Sequence, residues 1–127
     1  MFDEVTVRVA RLWLGDDGIF RIVHFPGSEV SLADAQETMD AYLRLRDGVS
    51  RPLLVDTQGM KSLDRPARAM YASEEAARVA TAVAIIVDTP VSRVLGNFYI
   101  GLANPHIPSQ LFSGQDEALE WLKRFLL

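Results

Sequence analysis

The sequence predicts an α/β domain in which an amino-terminal β-hairpin precedes alternating strands and helices on a mixed, mainly parallel sheet. In residues 5–10 valine alternates with other residue types, the run continues through Leu12, Trp13 and Leu14, and a second apolar run covers residues 19–25. Residues 52–56 and 82–88 are short apolar runs without alternation, which is typical of strands covered on both faces. Segments with helical periodicity separate these runs, and that order favours right-handed crossovers between parallel strands. A length of 127 residues predicts one domain over residues 1–127.

The amino-terminal segment has the pattern of a hairpin. Every second residue of 5–9 is a valine, and the alternation predicts one long strand over residues 5–14. The Gly15-Asp16-Asp17-Gly18 tetrad supplies residues that adopt positive φ in a tight turn. Residues 19–25 then return as the second strand, which Pro26-Gly27-Ser28 ends.

The first helix begins with a capping signal. Ser31 occupies the N-cap position, and Asp34 three residues later completes a variant of the capping box. Gly48 ends the helix. The polar residues expected to face water are Asp34, Glu37, Asp40 and Arg44.

Three further helices are predicted along the rest of the chain. Asp64 caps a second helix over residues 65–79, in which Pro66 lies in the first turn, where its missing N–H costs nothing. A third helix starts at Thr89-Pro90 and ends at Asn104-Pro105. Residues 109–112 form a short edge strand, and Ser113 caps the last helix.

Composition and motifs exclude several classes of protein. The net charge of −4 argues against a nucleic-acid partner, because phosphate binding needs a clustered basic face. The chain has no cysteine and only two histidines, His24 and His106, so it offers no thiolate ligand or nucleophile and no metal-ligand spacing. Phosphate-binding glycine motifs and a Gly-x-Ser-x-Gly motif are also missing. We therefore expect no metal, no cofactor and no catalytic residues.

Localisation is predicted from what the sequence does not contain. The acidic start of the chain lacks the features of a signal peptide, and the longest apolar run, residues 82–87, is far shorter than the roughly 20 residues that span a bilayer. The expectation is a bacterial-type cytoplasmic protein without a membrane span.

Two stretches carry a resemblance to a known family. They are residues 55–68, which read VDTQGMKSLDRPAR, and residues 92–101, which read SRVLGNFYIG. With this order of elements, the whole chain resembles the STAS domains of anti-sigma-factor antagonists of the SpoIIAA type, and especially bacterial proteins described as SpoIIAA-like or STAS/SEC14-like. Asp56 and Asp64 match the two aspartates of the STAS pattern, including their separation of eight residues. The resemblance implies a SpoIIAA-like fold and a binding role.

The sequence departs from that pattern where the antagonists are regulated. In the antagonists, a hydroxyl residue just after the second aspartate is phosphorylated, whereas this chain has Arg65, Pro66 and Ala67 there. None of these accepts phosphate, and Arg65 puts a fixed positive charge at a position that phosphorylation would make negative. The leading hypothesis is a non-catalytic protein-interaction module that lacks the phosphorylatable serine. Its predicted partner-binding residues are Ser62, Asp64, Arg65 and Arg68.

The sequence also allows two alternative functions and a homodimer. A SEC14-like small-molecule or lipid-binding domain would use an apolar pocket lined by Phe98, Tyr99 and Leu102, with Trp13 or Trp121. A hydrolase would use Asp56 and Asp88, which follow neighbouring predicted strands in two similar segments, LLVDT and IIVDT. An exposed sheet edge or hairpin makes a homodimer a further expectation.

Overall fold

The computed structural model describes residues 4–71, 80–87 and 107–126. Six strands form the main sheet: β1 (Glu4–Thr6), β2 (Ala10–Leu14), β3 (Phe20–His24), β5 (Pro52–Asp56), β7 (Ala82–Ile86) and β8 (Ser109–Phe112). Two strands form a small second sheet: β4 (Ser28–Val30) and β6 (Met60–Leu63). The described helices are α1 (Leu32–Arg46), α2 (Arg65–Tyr71) and α3 (Gln115–Leu122), and a 3-10 turn (Lys123–Phe125) follows α3.

The main sheet has the predicted mixed, mainly parallel topology. Its strand order is β1-β2-β3-β5-β7-β8, in which the first three strands are antiparallel and the last four are parallel. Every residue of β7 is buried, and β5 has a single half-buried position, Val55, so the two runs without alternation are indeed covered on both faces. The fold class predicted from the sequence is confirmed.

The first strand is not one long strand, and this expectation was wrong. The chain turns back at Arg8 and Val9, so that β1 pairs with β2 in an antiparallel hairpin. The N–H of Val7 donates to the carbonyl of Ala10 at 2.9 Å and closes the turn. Val9 lies in the turn itself and continues the pattern of Val5 and Val7, so the period of two does not reveal where the strand folds back.

A second expectation, that Asp34 faces water, was wrong, because Asp34 is buried. The predicted capping box is present: Asp34 N–H donates to Ser31 Oγ at 3.3 Å, and Ser31 N–H donates to Asp34 Oδ2 at 3.0 Å. Arg8 reaches over from the β1–β2 turn and donates its Nε to Asp34 Oδ1 at 2.6 Å and its Nη2 to Oδ2. The turn that the sequence did not reveal thus supplies the cation that lets Asp34 be buried.

Helices cover both faces of the main sheet. The side that holds α1 and α2 contains Phe20, Ile22, Tyr42, Leu53 and Val83, and the rings of Phe20 and Tyr42 meet edge to face at 5.2 Å. The side that holds α3 is a separate apolar cluster, made of Ile19, Leu54, Ala82, Ala84, Ile86, Ala118 and Leu122.

The carboxyl-terminal half confirms some expected elements and corrects one. The predicted edge strand over 109–112 is β8, which pairs in parallel with β7. The last helix begins after Gly114, whose backbone occupies the N-cap without a side-chain hydrogen bond, so Ser113 is not the cap. The predicted helical residues 72–79 and the third helix over 89–104 lie outside the described residues. None of the helices in the described ranges is long and apolar enough to cross a membrane.

Candidate partner-binding site at the carboxyl edge of the sheet

The candidate site is built on the two chain segments that leave the sheet after β3 and β5. These segments pair in parallel as β4 and β6, beyond the carboxyl ends of the two strands, which is the edge where open α/β sheets bind ligands. The sequence did not reveal either strand, because each has only three or four residues and no alternation. Val30, Met60 and Leu63 are buried beneath this small sheet and anchor it to the core.

Gly59 allows the small sheet to lie close to the end of β3. A Cβ atom at this position would lie 2.7 Å from the carbonyl oxygen of Phe25 and 2.8 Å from that of His24. The N–H of Gly27 also donates to the carbonyl of Gly59 at 2.8 Å. A glycine is needed here because of the close approach of two backbones and not because of a positive φ.

Asp56 and Thr57 fix the start of the segment that leads to β6. Asp56 is buried, and its Oδ1 accepts the N–H of Gln58 at 2.9 Å. The hydroxyl and the N–H of Thr57 both donate to the carbonyl of Ile86 in β7, at 2.7 and 3.1 Å. These contacts give the first Asp-Thr pair a structural role at a strand end. Asp88, the other carboxylate of the hydrolase alternative, lies outside the described residues.

His24 is the most deeply buried titratable group of this edge. Its side chain ends β3, and only 6% of the residue is exposed. Nδ1 lies 3.0 Å from the carbonyl oxygen of Asp56, which can only accept, so Nδ1 carries the proton. Nε2 is buried and has no hydrogen-bond partner among the described residues. Burial lowers the pKa of His24, against a weaker opposing effect of Asp56. The sequence indicated a histidine in a strand but not its complete burial.

The loop between β6 and α2 holds two of the predicted partner-binding residues in fixed positions. Asp64 caps α2 as expected, since its Oδ1 accepts the N–H of Ala67 at 2.9 Å. Its own N–H donates to the carbonyl of Val30 at 3.0 Å, which ties the helix start to β4. Arg68 donates its Nε to the carbonyl of Leu63 at 2.8 Å, so this guanidinium helps to support the loop.

The other two predicted partner-binding residues lie on the surface. Ser62 and Arg65 are exposed, on β6 and on the first turn of α2. Lys61 is exposed beside Ser62, and its Nζ lies 3.9 Å from Glu29 of β4. With side chains about two-thirds exposed on both partners, such a pair contributes little to stability and leaves both charges accessible. The structure thus brings Ser62, Asp64, Arg65 and Arg68 together in one continuous segment.

Of the residues predicted to line the pocket of the SEC14-like alternative, the structure describes only Trp13 and Trp121. Phe98, Tyr99 and Leu102 lie outside the described residues. Trp13 is half-buried on β2, where the Arg11 guanidinium lies 5.2 Å from its ring centre. Trp121 lies on α3, with its ring centre 5.6 Å from that of Phe112. Since the three helix residues of this pocket lie outside the described part of the chain, the pocket, with Trp13 or with Trp121, stays a prediction.

Metal binding has no support in the described part of the chain. Within residues 4–71, 80–87 and 107–126, no three histidine or carboxylate side chains lie close enough together to hold an ion. This leaves the small sheet and the start of α2 as the site to explain.

Comparison with known proteins assigns the fold and then the family. The topology is that of a SpoIIAA-like α/β protein. A crystal structure from Shewanella loihica PV-4, of a DUF3478 family protein described as having a SpoIIAA-like fold, matches with a TM-score of 0.59 at 15% identity, over 96% of this chain and 92% of that chain. The model of the family described as "Domain of unknown function (DUF7793)" matches residues 12–126, and the chain belongs to this family.

The chain was also compared with a second solved structure and with curated proteins. A crystal structure of a protein with unknown function from Arthrobacter sp. FB24 is 33% identical, covers 94% of this chain and 96% of that chain, and has a TM-score of 0.38. A search of curated proteins gave no match. The resemblance predicted from residues 55–68 and 92–101 is therefore confirmed at the level of the fold.

Proposed function

We propose that this chain is a non-catalytic binding module of the STAS type, which holds a protein partner on the surface formed by Ser62, Asp64, Arg65 and Arg68. The observation that supports this proposal is a fixed arrangement of opposite charges. Asp64 and Arg68 are held by backbone groups of Ala67 and Leu63. Arg65 is exposed in the first turn of the helix that Asp64 caps, and the backbone bonds of Asp64 and Arg68 reduce the ordering that a partner would have to impose on this surface.

The residues of this surface favour binding over chemistry. Arg65, Pro66 and Ala67 occupy the positions where the antagonists that the chain resembles carry a phosphorylatable hydroxyl. Ala67 is fully buried, so a hydroxyl introduced there would face the core and not a kinase. Binding through this surface is therefore constitutive, in contrast to the phosphorylation-controlled binding that the resemblance implies.

The charge of the surface indicates the kind of partner. Lys61 and Arg65 are exposed cations, and the carboxylate of Asp64 already accepts a hydrogen bond from its own helix. An acidic segment of the partner protein fits this pattern, because it would pair with the cations, and charge complementarity raises specificity and the association rate.

Crosslinking from the site itself tests the proposal. A photo-reactive amino acid at Ser62, which is exposed, should crosslink to a protein partner in cells. The variant Arg65→Glu should abolish the crosslink, because it reverses the charge that the partner meets. Arg44→Glu is the matched control, since Arg44 is also an exposed arginine and lies near the end of α1, away from the small sheet.

The choice of Arg65 makes the outcome decisive. Arg68 supports the backbone of the loop, so its replacement would change the local structure as well as the charge. Equal crosslinking in Arg65→Glu and Arg44→Glu would show that the proposed surface does not bind the partner. A thermal unfolding curve of each variant would confirm that both proteins are folded.

A further inference from the structure

The edges of the two sheets differ in how they are protected against pairing with another strand. Open strand edges attract other strands unless charges, bulges or covering groups block them. In β1, Glu4 pairs with Arg11 at 3.3 Å and places charge at the edge. In β4, Arg8 donates its Nη2 to the carbonyl of Glu29 at 2.9 Å. In β6, Lys61 is the extra residue of a β-bulge. These three edges all carry a recognised form of protection.

Within residues 4–71, 80–87 and 107–126, no charge, bulge or covering group of this kind protects the edge strand β8. Its four residues, Ser109–Phe112, include no charged side chain and no proline. Its register with β7 runs without a bulge from one end to the other. Gln110 is exposed, and the other three residues are half-buried, so the strand is accessible from solvent. The main sheet therefore ends, among the described residues, in a neutral and regular strand.

Hydrogen bonds to β7 show which backbone groups of this strand point outward. The N–H of Val83 donates to the carbonyl of Pro108 at 2.9 Å, and the N–H of Val87 donates to that of Phe112 at 2.8 Å. Backbone groups of successive residues in a strand point to opposite sides, so Gln110 faces β7 together with Pro108 and Phe112. The N–H and C=O groups of the two residues between them, Ser109 and Leu111, point away from the sheet.

We propose that a second copy of this chain docks on β8, so that two six-stranded sheets join edge to edge. An antiparallel pairing about a two-fold axis at Gln110 places Leu111 opposite Ser109 of the copy. Both residues have outward N–H and C=O groups, so the two symmetry-related pairs form four hydrogen bonds. The Gln110 side chains lie directly opposite each other at the axis.

The charges of α3 agree with this arrangement. A two-fold axis perpendicular to the sheet sets α3 antiparallel to its copy on the same face. The helix begins with acidic residues and is followed by basic ones, so the acidic end of each helix lies toward the basic end of the other. These are Asp116 and Glu117 at the start and Lys123 and Arg124 at the end.

Charge substitution at the axis gives the sharpest test. Gln110 is exposed, so Gln110→Lys and Gln110→Glu should leave the fold intact while placing like charges opposite each other. Sedimentation equilibrium should give a dimer for the unmodified protein and a dissociation constant raised about tenfold or more for each variant. An equimolar mixture of the two variants should restore the dimer, visible by native mass spectrometry as the mixed species.

A backbone substitution tests the hydrogen bonds separately. Leu111→Pro removes an outward N–H and leaves the bonds to β7 in place, so it should also weaken the dimer. Thr6→Pro is the matched control on the other edge of the sheet. The N–H of Val7 donates to Ala10 of β2, so the N–H of the preceding residue, Thr6, faces away from β2 and its loss breaks no bond within the sheet. The proposal is wrong if the unmodified protein is a monomer at high concentration, or if Gln110→Lys and Leu111→Pro dimerise as tightly as Thr6→Pro.

Discussion

The buried carboxylate of Asp34 offers the strongest test of how the amino-terminal half is held together. Its two oxygens accept hydrogen bonds from Arg8 Nε and Nη2, from Ser31 N–H at 3.0 Å and from Ser31 Oγ at 3.0 Å. Asp34→Asn keeps the size of the side chain but replaces one oxygen by an NH₂ group. In either orientation of the amide, its NH₂ group faces an N–H donor of Arg8 or Ser31, and the negative charge that balances Arg8 is lost.

The expected loss of stability follows from these contacts. Losing a helix cap contact costs about 0.5–2 kcal/mol. The two hydrogen bonds from Arg8 contribute less to stability than bonds to a buried cation would. The reason is that 64% of the Arg8 side chain is exposed, so water solvates the guanidinium when Asp34 is replaced. We expect a total decrease of about 2 kcal/mol in the free energy of unfolding. With a urea dependence of about 2 kcal/mol per molar, the unfolding midpoint should fall by about 1 M.

Urea unfolding followed by circular dichroism measures this change, and Asp40→Asn is its control. Asp40 is an exposed acidic residue of the same helix, so its replacement should alter stability by about 0.5 kcal/mol or less. The Arg8 guanidinium also holds the pKa of Asp34 well below its usual range. As the pH falls below about 4, Asp34 therefore binds a proton in the unfolded chain before it does so in the folded protein. The free energy of unfolding declines in that range. Equal midpoints for the two variants, or an unchanged acid limb in Asp34→Asn, would refute the reasoning.

Three further changes test the candidate site. Lowering the pH through about 6.5 should reduce the free energy of unfolding, because the unfolded chain binds a proton at His24 that the buried side chain in the folded protein resists. His24→Asn should remove this slope. Gly59→Ala should destabilise the protein by about 1–3 kcal/mol in thermal unfolding, because the new Cβ meets two backbone oxygens that have little room to move. Asp64→Ala should cost about 1 kcal/mol through the lost cap of α2, whereas Asp64→Asn should cost little, and equal losses in both would exclude capping as the cause.

The sequence predicted the elements whose signals are local. The capping residues Ser31 and Asp64 can be recognised because each bonds to its own helix, three residues away. The buried strands β5 and β7 can be recognised because short apolar runs without alternation are typical of strands covered on both faces. These signals were enough to order the elements and to predict a mainly parallel sheet.

What the sequence did not predict depends on residues far apart in the chain. The burial of Asp34 requires Arg8, which lies 26 positions earlier. The pairing of β4 with β6 joins segments about thirty residues apart and leaves no periodic pattern in either. The environment of His24 likewise depends on a distant segment, since its Nδ1 donates to the carbonyl of Asp56, 32 positions later. At the candidate site, the sequence therefore predicted the capping role of Asp64 but not the separate sheet that precedes it.

The clamp at Arg8 and the candidate site are parts of one connected structure. The same Nη2 atom that binds Asp34 also donates to the carbonyl of Glu29, and so holds β4 from its outer edge. On its inner side β4 pairs with β6, and its Val30 carbonyl accepts the N–H of Asp64 at the start of α2. A chain of direct hydrogen bonds thus runs from the β1–β2 turn to the proposed partner-binding surface. Asp34 and Val30 are buried and anchor this series of bonds to the core, so a partner that binds the proposed surface would need to order little of it.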